Sequence, residues 1–260
     1  KKVTFEQMLS AGVHFGHLKR KWNPSMSPYI FDEKKGIHVI DLNKTLIKLE
    51  EASKAMRQIA KSGRKILFVA TKKQAKEIMS TKVEEVNMPS ITERWPGGLL
   101  TNFKTTRKTI KKMTSIDKMM KDGTADTMSK RERLQLSRKR EKIDKIFGSI
   151  SDMNRLPAAI FIVDVKKEHI ALSEAKNLKI PIFAMVDTNS SPDGIDFVIP
   201  SNDDATKSID LVISALCDAI KEGLGERKQT KEKIAQEKAA KEAAKEANEE
   251  NTEQKLEDKS

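Results

Sequence analysis

Two short runs of apolar residues constrain the fold of this chain more than any other feature. Ile66–Ala70 and Ala158–Val163 contain no polar residue, as is typical of strands buried on both faces of a parallel sheet. Helical stretches follow both runs, and further strand candidates lie at Pro181–Val186 and Phe197–Ile199. Because strands that alternate with helices build parallel sheets, the sequence predicts an α/β fold with helices on both faces of the sheet.

The residues before the first apolar run show a mixed pattern. Thr4–Ser10 is typical of a short capped helix, and Gly12–Pro28, which contains glycines and prolines, of a loop. Ile37–Ile40 is a short strand candidate. A long amphipathic helix is predicted to begin at Asn43 and to end at Gly63.

A basic segment separates the two halves of the strand-helix pattern. Residues 104–121 and 129–147 have helical patterns with sparse apolar positions, and a short turn with one glycine joins them. This pattern predicts an antiparallel helical hairpin, a protruding coiled coil. Two ordinary surface helices packed on the sheet are the alternative. The predicted class is a Rossmann- or flavodoxin-like α/β domain with an inserted protruding α-helical coiled-coil hairpin.

The charge is distributed unevenly along the chain. The net charge is +12, and residues 103–147 hold fifteen basic and six acidic residues. Residues 148–220 hold six basic and eleven acidic residues. This asymmetry favours a polyanionic partner on one face of the molecule. One cysteine, Cys217, excludes a disulfide framework and is predicted to lie in the core.

The predicted strand ends lack the glycines of a nucleotide-binding enzyme. Thr71–Gln74 and Asp164–Glu168 follow two buried strands without a glycine, and Gly97-Gly98 does not open a phosphate-binding loop. These features argue against a dehydrogenase or an NTPase. No run is apolar enough for a signal peptide or a membrane span, so a reducing, cytoplasmic location is expected.

Acidic side chains at the strand ends leave one enzymatic alternative open. Asp164, Asp187 and Asp203 have the chemistry of a Mg²⁺-dependent phosphotransferase or hydrolase, although helix capping by Asp203 and a turn at Asp187 are favoured. His14 and His17 have a spacing that metals use, but zinc normally takes three or four protein ligands. No metal site is therefore predicted. The remaining metal candidates are His14, His17, Asp187 and Asp203.

Basic residues beside tryptophans in two loops point to nucleic acid. Each tryptophan, Trp22 and Trp95, follows a cation, and its ring is suited either to stacking on an unpaired base or to packing in the core. On the hairpin, cations recur at helical spacing along one face and match a phosphate backbone. The predicted RNA-binding residues are Lys19, Arg20, Lys21, Trp22, Asn23, Arg94, Trp95, Asn102, Lys104, Arg107, Lys108, Lys111, Lys112, Arg131, Arg138 and Lys139.

Six sequence blocks run in order along the stretch from about Thr4 to Gly225. They are Ala11–His17, Trp22–Pro24, Ile37–Leu42, Arg94–Phe103, Ile180–Asn189 and Ile199–Ala205. Together these blocks closely resemble the ribosomal protein S-two family of the bacterial small subunit. The resemblance implies a non-enzymatic structural protein of the cytoplasmic ribosome, bound to 16S ribosomal RNA between head and body. It also implies late assembly and support for docking of ribosomal protein S-one, and hence for translation initiation.

Further expectations concern partners and domains. No cofactor, membrane or small-molecule substrate is expected, apart from structural Mg²⁺ held through the RNA. The acidic segment 148–220 is the candidate for contact with ribosomal protein S-one. Residues 1–102 are assigned to the first part of the α/β domain with an N-terminal RNA-facing loop, and 103–148 to the hairpin. Residues 149–225 form the second part. Residues 226–260 are a charged tail, predicted to be disordered or a frayed helix.

Overall fold

The computed structural model describes residues 3–123 and 127–257. Its helices are α1 (Phe5–Ser10), α2 (Leu42–Lys61), α3 (Lys73–Glu85), α4 (Phe103–Lys121), α5 (Lys130–Phe147), α6 (His169–Asn177) and α7 (Thr206–Glu257). Its strands are β1 (Phe15–Leu18), β2 (Ile30–Lys34), β3 (Ile37–Ile40), β4 (Ile66–Val69), β5 (Ser90–Ile91), β6 (Ala159–Val163), β7 (Ile182–Val186) and β8 (Phe197–Pro200). None of the described helices is both long enough and apolar enough to cross a membrane.

A five-stranded parallel sheet confirms the predicted α/β class. Its strand order is β5-β4-β6-β7-β8, and every neighbouring pair is parallel. Counted from β4, this is the 2-1-3-4-5 order of flavodoxin-like folds. In such a sheet the carboxyl ends of all strands meet at one edge, so residues that follow different strands become neighbours there.

A second, antiparallel sheet was missed by the sequence analysis. Its order is β1-β3-β2, and it includes residues of the segment Gly12–Pro28, which was predicted to be a loop. The prediction was wrong for β1 because that strand has four residues, none of them buried, and a glycine in its interior. Without an apolar face, the local pattern gives no strand signal. The predicted strand at Ile37–Ile40 is confirmed as β3.

The core lies on both faces of the parallel sheet. All residues of β4, β6 and β7 are buried, as the two apolar runs predict. Phe68, Phe161 and Phe183 point to the layer formed by α2, α3 and α7. Cys217 also lies in that layer, which confirms its predicted core position. Burial raises the pKa of the Cys217 thiol to about 12, so it stays protonated and is no nucleophile at neutral pH.

The helices α4 and α5 pack against each other. Apolar residues of α4, including Ile110 and Met113, are buried, whereas α5 has no buried residue. The Arg140 guanidinium joins the two helices through Asp117, with Nε 2.8 Å from Oδ1. Part of the predicted turn, residues 124–126, lies outside the described residues. The coiled-coil geometry and the protrusion of this pair stay predictions, as does the four-segment domain division.

The last helix, α7, packs closely on α2. It continues across the domain boundary that the sequence analysis places at residue 225 and ends at Glu257. Gly223 of α7 is buried against α2: a Cβ atom at this position would lie 2.4 Å from the Arg57 carbonyl oxygen and 3.1 Å from the Ala60 Cβ. Nothing lies within 4 Å of a Cβ at Gly225.

These two glycines give a matched prediction about stability. Gly223→Ala is expected to lower the free energy of unfolding by about 1–3 kcal/mol, because the backbone of α2 must move. Gly225→Ala is expected to raise it by up to ~1 kcal/mol, because alanine restricts the unfolded chain and favours the helix. Chemical denaturation measures both changes. Equal effects of the two substitutions would contradict the close packing of α7 on α2.

Candidate nucleic-acid interface and the carboxyl edge of the sheet

The carboxyl edge of the parallel sheet gathers the acidic residues on which the enzymatic alternative depends. Asp164 follows β6, Asp187 follows β7 and Asp203 follows β8. The ammonium nitrogen of Lys72, which follows β4, lies 2.7 Å from Asp203 Oδ1, 3.3 Å from Asp164 Oδ2 and 2.6 Å from Asp204 Oδ1. The sheet therefore brings the predicted carboxylates together, but a lysine of the chain itself lies among them.

Burial and like charges dominate the electrostatics of this cluster. Asp203 is fully buried. Its burial, followed by the charges of Asp187 and Asp164, raises its pKa to about 7. For Lys72, burial lowers the pKa, but hydrogen bonds to Asp203 and Asp204 outweigh it, and the net shift is upward. Lys72 is thus held charged among the carboxylates.

The N-terminal segment covers the same edge. Gly16 of β1 approaches so closely that a Cβ atom would lie 2.7 Å from the Thr188 side chain. The backbone amide of His17 donates to Thr188 Oγ1 (2.8 Å), and that of Asn23 donates to the Thr188 carbonyl oxygen (2.8 Å). Asn202 donates from its backbone to the Val13 carbonyl oxygen (3.1 Å). The edge at which α/β enzymes bind ligands is therefore packed against the chain's own backbone.

The capping role that the sequence analysis favoured for Asp203 is wrong. Asn202 Oδ1 accepts hydrogen bonds from the backbone amides of Asp204 (2.9 Å) and Ala205 (3.2 Å) just before α7. Asp203 instead pairs with Lys72. Because Asn202 and Asp203 both precede the helix, the local sequence does not show which of the two caps it. The expected turn at Asp187 is observed, with its carboxylate accepting from the Thr188 hydroxyl at 3.1 Å.

The two histidines of the metal prediction lie in different environments. His17 Nδ1 lies 3.0 Å from Asp187 Oδ2, and His17 Nε2 lies 3.3 Å from Asp204 Oδ2. The hydrogen bond to Asp187 is the main cause that raises the pKa of His17. His14 is half-buried, and burial, followed by the charge of Lys34, lowers its pKa. Only His17 of the two lies near the acidic cluster.

The loop Lys19–Asn23 lies on the surface beside this edge. Lys19, Arg20 and Lys21 are exposed, and Lys19 pairs with Glu33 at 2.7 Å. Trp22 is 37% exposed as a residue, and the centroid of its ring lies 5.2 Å from that of His38. One part of the indole thus packs on the protein while another part faces solvent, so a stacking role for Trp22 stays a prediction.

A buried carboxylate organises the second loop. Glu174 of α6 accepts hydrogen bonds from Trp95 Nε1 (3.0 Å) and from the backbone amides of Gly98 (2.7 Å), Leu100 (2.9 Å) and Thr101 (3.1 Å). Burial raises the pKa of Glu174, but these donors outweigh it and leave the pKa below its usual value. The sequence analysis missed Glu174; an acidic residue between Ala171 and Ala175 on the apolar face of a helix is the available signal.

Of the two roles that the sequence left open for Trp95, stacking on a base or packing in the core, the structure shows core packing. Trp95 is only 6% exposed as a residue and belongs to the hydrophobic core. The indole N–H is already donated to Glu174. No face of this ring is available to a base, and the alternative of core packing is correct. Arg94 and Asn102 of the same loop are exposed, and their RNA contacts stay predictions.

The cations of α4 and α5 lie mostly on the surface. Arg107 differs from the others because its Nη1 donates to the Met153 carbonyl oxygen at 3.1 Å. Lys112 of α4 lowers the pKa of Lys139 of α5. The exposed predicted RNA-binding residues of these helices are Lys104, Lys108, Lys111, Lys112, Arg131, Arg138 and Lys139.

Comparison with known proteins identifies the family. The family model described as "Ribosomal protein S2" matches residues 8–223. The chain is 66% identical over 226 residues to "Small ribosomal subunit protein uS2" of Azobacteroides pseudotrichonymphae, covering 87% of this chain and 86% of that protein. The protein of the same name from Flavobacterium johnsoniae is 61% identical over 236 residues, covering 91% and 93%. This chain therefore belongs to the ribosomal protein S2 family, the non-enzymatic structural proteins of the small ribosomal subunit.

Proposed function

We propose that this small-subunit protein binds 16S ribosomal RNA through the exposed cations of α4 and α5, with the Lys19–Asn23 loop and Arg94 as further contacts. The observation that carries the proposal is that seven of the predicted cations of α4 and α5 are exposed, in a segment where fifteen basic residues stand against six acidic ones. A phosphate backbone would turn the mutual repulsion of such cations into attraction. Lys112 and Lys139 illustrate that repulsion, because Lys112 lowers the pKa of Lys139.

The proposed mode of binding is electrostatic anchoring with recognition of RNA shape. Lysine contacts to phosphates release condensed counterions and carry no sequence information. Recognition of a folded RNA surface then depends on how the two helices and the two loops are arranged, and on contacts to 2′-hydroxyl groups. Structural Mg²⁺, where present, would be held through the RNA.

This mode of binding predicts a specific salt dependence. Replacing both Lys112 and Lys139 by alanine is expected to reduce the slope of log affinity against log salt by about two, one for each lost phosphate contact. Filter binding of the purified chain to 16S ribosomal RNA at several salt concentrations measures the slope. The control variant, Lys54→Ala with Lys207→Ala, removes two exposed lysines outside α4 and α5 and should keep the slope. An unchanged slope in the Lys112 and Lys139 variant would contradict the proposal.

We also propose a position between head and body, late assembly and support for docking of ribosomal protein S-one. The acidic segment 148–220 remains the part of the chain that is proposed to contact ribosomal protein S-one, but only some of its acidic residues are on the surface. Four of its eleven acidic residues are buried, so their charge does not contribute to the surface in full. These residues are Glu168, Glu174, Asp187 and Asp203. The exposed acidic residues of the segment, such as Asp152 and Asp193, carry the proposed contact.

A further inference from the structure

We propose that a pocket between the Lys19–Asn23 loop and α6 binds one unpaired nucleotide of RNA, with the base against the Trp22 ring and the phosphates beside three lysines. The pocket opens to solvent and has a volume of about 620 Å³, and its lining includes Trp22, Leu172 of α6 and Asn189 after β7. That volume lies in the range of about 300–1,000 Å³ that is usual for small-ligand sites. The inference rests on the proposed RNA binding and extends it to the acidic segment 148–220.

Trp22 provides the aromatic surface of this pocket. The residue is 37% exposed, and its ring lies 5.2 Å from the ring of His38, centroid to centroid. His38 is itself buried, so the indole is supported by the protein while another part of it lines the pocket. An indole held in this way can stack on any unpaired base, because every base has a π-face.

Three exposed lysines line the same pocket from two parts of the chain. Lys21 lies next to Trp22 in the loop, whereas Lys166 precedes α6 and Lys176 belongs to it. The ammonium group of Lys176 donates to the Asp193 carbonyl oxygen at 2.7 Å, which positions the lysine and leaves its charge in place. Ammonium groups beside an aromatic ring suit a nucleotide, because its base stacks on the ring while its phosphates accept hydrogen bonds from the cations.

The charges of the lining favour RNA over an acidic peptide. Among the described residues that line the pocket, Asp193 is the only carboxylate. Its Oδ2 already accepts hydrogen bonds from the hydroxyls of Ser191 (2.6 Å) and Ser25 (3.3 Å). Positive charge therefore predominates, which favours a polyanion. RNA fits better than an acidic peptide because each of its phosphates comes with an aromatic base.

The aromatic surface requires that the base be unpaired. In double-stranded RNA the faces of each base are covered by its neighbours, whereas the bases of loops, bulges and ends can turn outward and stack on aromatic side chains. The sequence analysis predicted contacts for Lys21 and Trp22 and missed Lys166 and Lys176. These two lysines lie in the second half of the chain, in a segment whose net charge is negative, and only the fold brings them beside the loop.

Titration of the purified full-length chain with single-stranded hexaadenylate tests the proposal. A base stacked on Trp22 quenches its fluorescence, whereas the buried Trp95 gives a constant background, so we expect quenching that saturates. Anisotropy of labelled hexaadenylate measures affinity separately. Trp22→Leu is expected to lower this affinity about tenfold, because the stacking surface is lost. Trp22→Phe, which keeps an aromatic face, should recover most of it.

Two neighbouring lysines provide a matched test of the phosphate contacts. Lys166→Ala is expected to weaken hexaadenylate binding severalfold and to reduce the slope of log affinity against log salt by about 0.7, the value for one contact to a single strand. The control Lys167→Ala removes an exposed lysine that does not line the pocket and donates instead to the Thr71 carbonyl oxygen at 3.0 Å. It should leave affinity and slope unchanged.

Four results would overturn the proposal. The first is a wild-type chain that does not bind hexaadenylate, and the second is Trp22→Leu protein, folded by circular dichroism, that binds it as tightly as the wild type. The third is equal affinity for a short RNA duplex, which would mean attraction of phosphates alone. The fourth is equal affinity for AMP, which would indicate a site for free nucleotides.

Filter binding to 16S ribosomal RNA distinguishes failure of this proposal from failure of the proposed function. A chain that binds 16S ribosomal RNA through Lys112 and Lys139 but does not bind hexaadenylate would lack the nucleotide pocket and keep the proposed function. A chain that binds neither RNA would contradict both proposals.

Discussion

Charge reversal on α4 is expected to remove this protein from the small ribosomal subunit. The four changes are Lys104→Glu, Lys108→Glu, Lys111→Glu and Lys112→Glu, all at exposed positions. Arg107 is left unchanged because its bond to the Met153 carbonyl oxygen supports the fold. Each reversal replaces an attraction to phosphate with a repulsion, so affinity for 16S ribosomal RNA should fall by about 10²-fold or more.

Sedimentation of cell lysates on sucrose gradients measures this effect. The variant should remain at the top of the gradient while the wild type migrates with the small subunit. A control with the same change in net charge reverses Lys54, Lys207, Lys228 and Lys233, which are exposed and lie outside α4 and α5; it should migrate with the subunit. Comigration of the α4 variant would place the RNA anchor in the two loops instead.

The same gradient fractions test the proposal about S-one. Small subunits that lack this chain are expected to lack ribosomal protein S-one as well, and to contain the other small-subunit proteins, since the chain is proposed to join late. Quantitative mass spectrometry of the subunit peak measures both. Normal S-one content in subunits without this chain would refute the docking role and leave RNA binding intact.

Replacing Glu174 by alanine is expected to cause a large loss of stability. The substitution leaves the buried indole N–H of Trp95 and the amides of Gly98, Leu100 and Thr101 without their acceptor. Each unsatisfied buried donor costs about 1–3 kcal/mol, so the free energy of unfolding should fall by at least ~3 kcal/mol. The hydrogen bonds from these donors to Glu174 hold the loop after β5, so Arg94 of that loop should also lose its fixed position in the variant.

Chemical denaturation at several pH values checks this prediction. The lowered pKa of Glu174 means that its stabilisation is complete above the usual pKa of a glutamate and is lost as the pH falls through the lower, folded-state pKa. The difference between wild type and Glu174→Ala should therefore shrink in acid. The control Glu77→Ala removes an exposed carboxylate on α3 and should change stability by no more than ~0.5 kcal/mol. Equal stability of wild type and Glu174→Ala at neutral pH would contradict the assigned hydrogen bonds.

The parts of the fold that were predicted correctly are those whose own residues show a clear apolar pattern. Residues of β4, β6 and β7 are apolar without interruption because both faces of these strands are buried. Strand β1 carries no such signal, because it pairs with β3 while its residues remain exposed or half-exposed. Pairing between backbones needs no apolar side chain, and sequence patterns do not report it.

The two tryptophans show the same limit at the candidate RNA interface. Both tryptophans follow a cation in a loop, so the sequence does not show which ring is buried and which is exposed. In the structure Trp95 is buried because Glu174, a residue 79 positions later in the chain, accepts its N–H. Trp22 has no such acceptor among the described residues, and its ring stays partly exposed. Glu174, the partner that distinguishes Trp95 from Trp22, is distant in sequence.

The sequence by itself determined the α/β class, the basic helical insertion and the family, because apolar runs, charge clusters and motif blocks are local properties. Only the tertiary structure decided what the carboxyl edge of the sheet holds. His17, Asp187 and Asp203 meet there, Lys72 neutralises part of their charge, and the N-terminal backbone covers them. The physical reason is that parallel strands deliver residues far apart in the chain to one edge, where burial makes each charge depend on its neighbours.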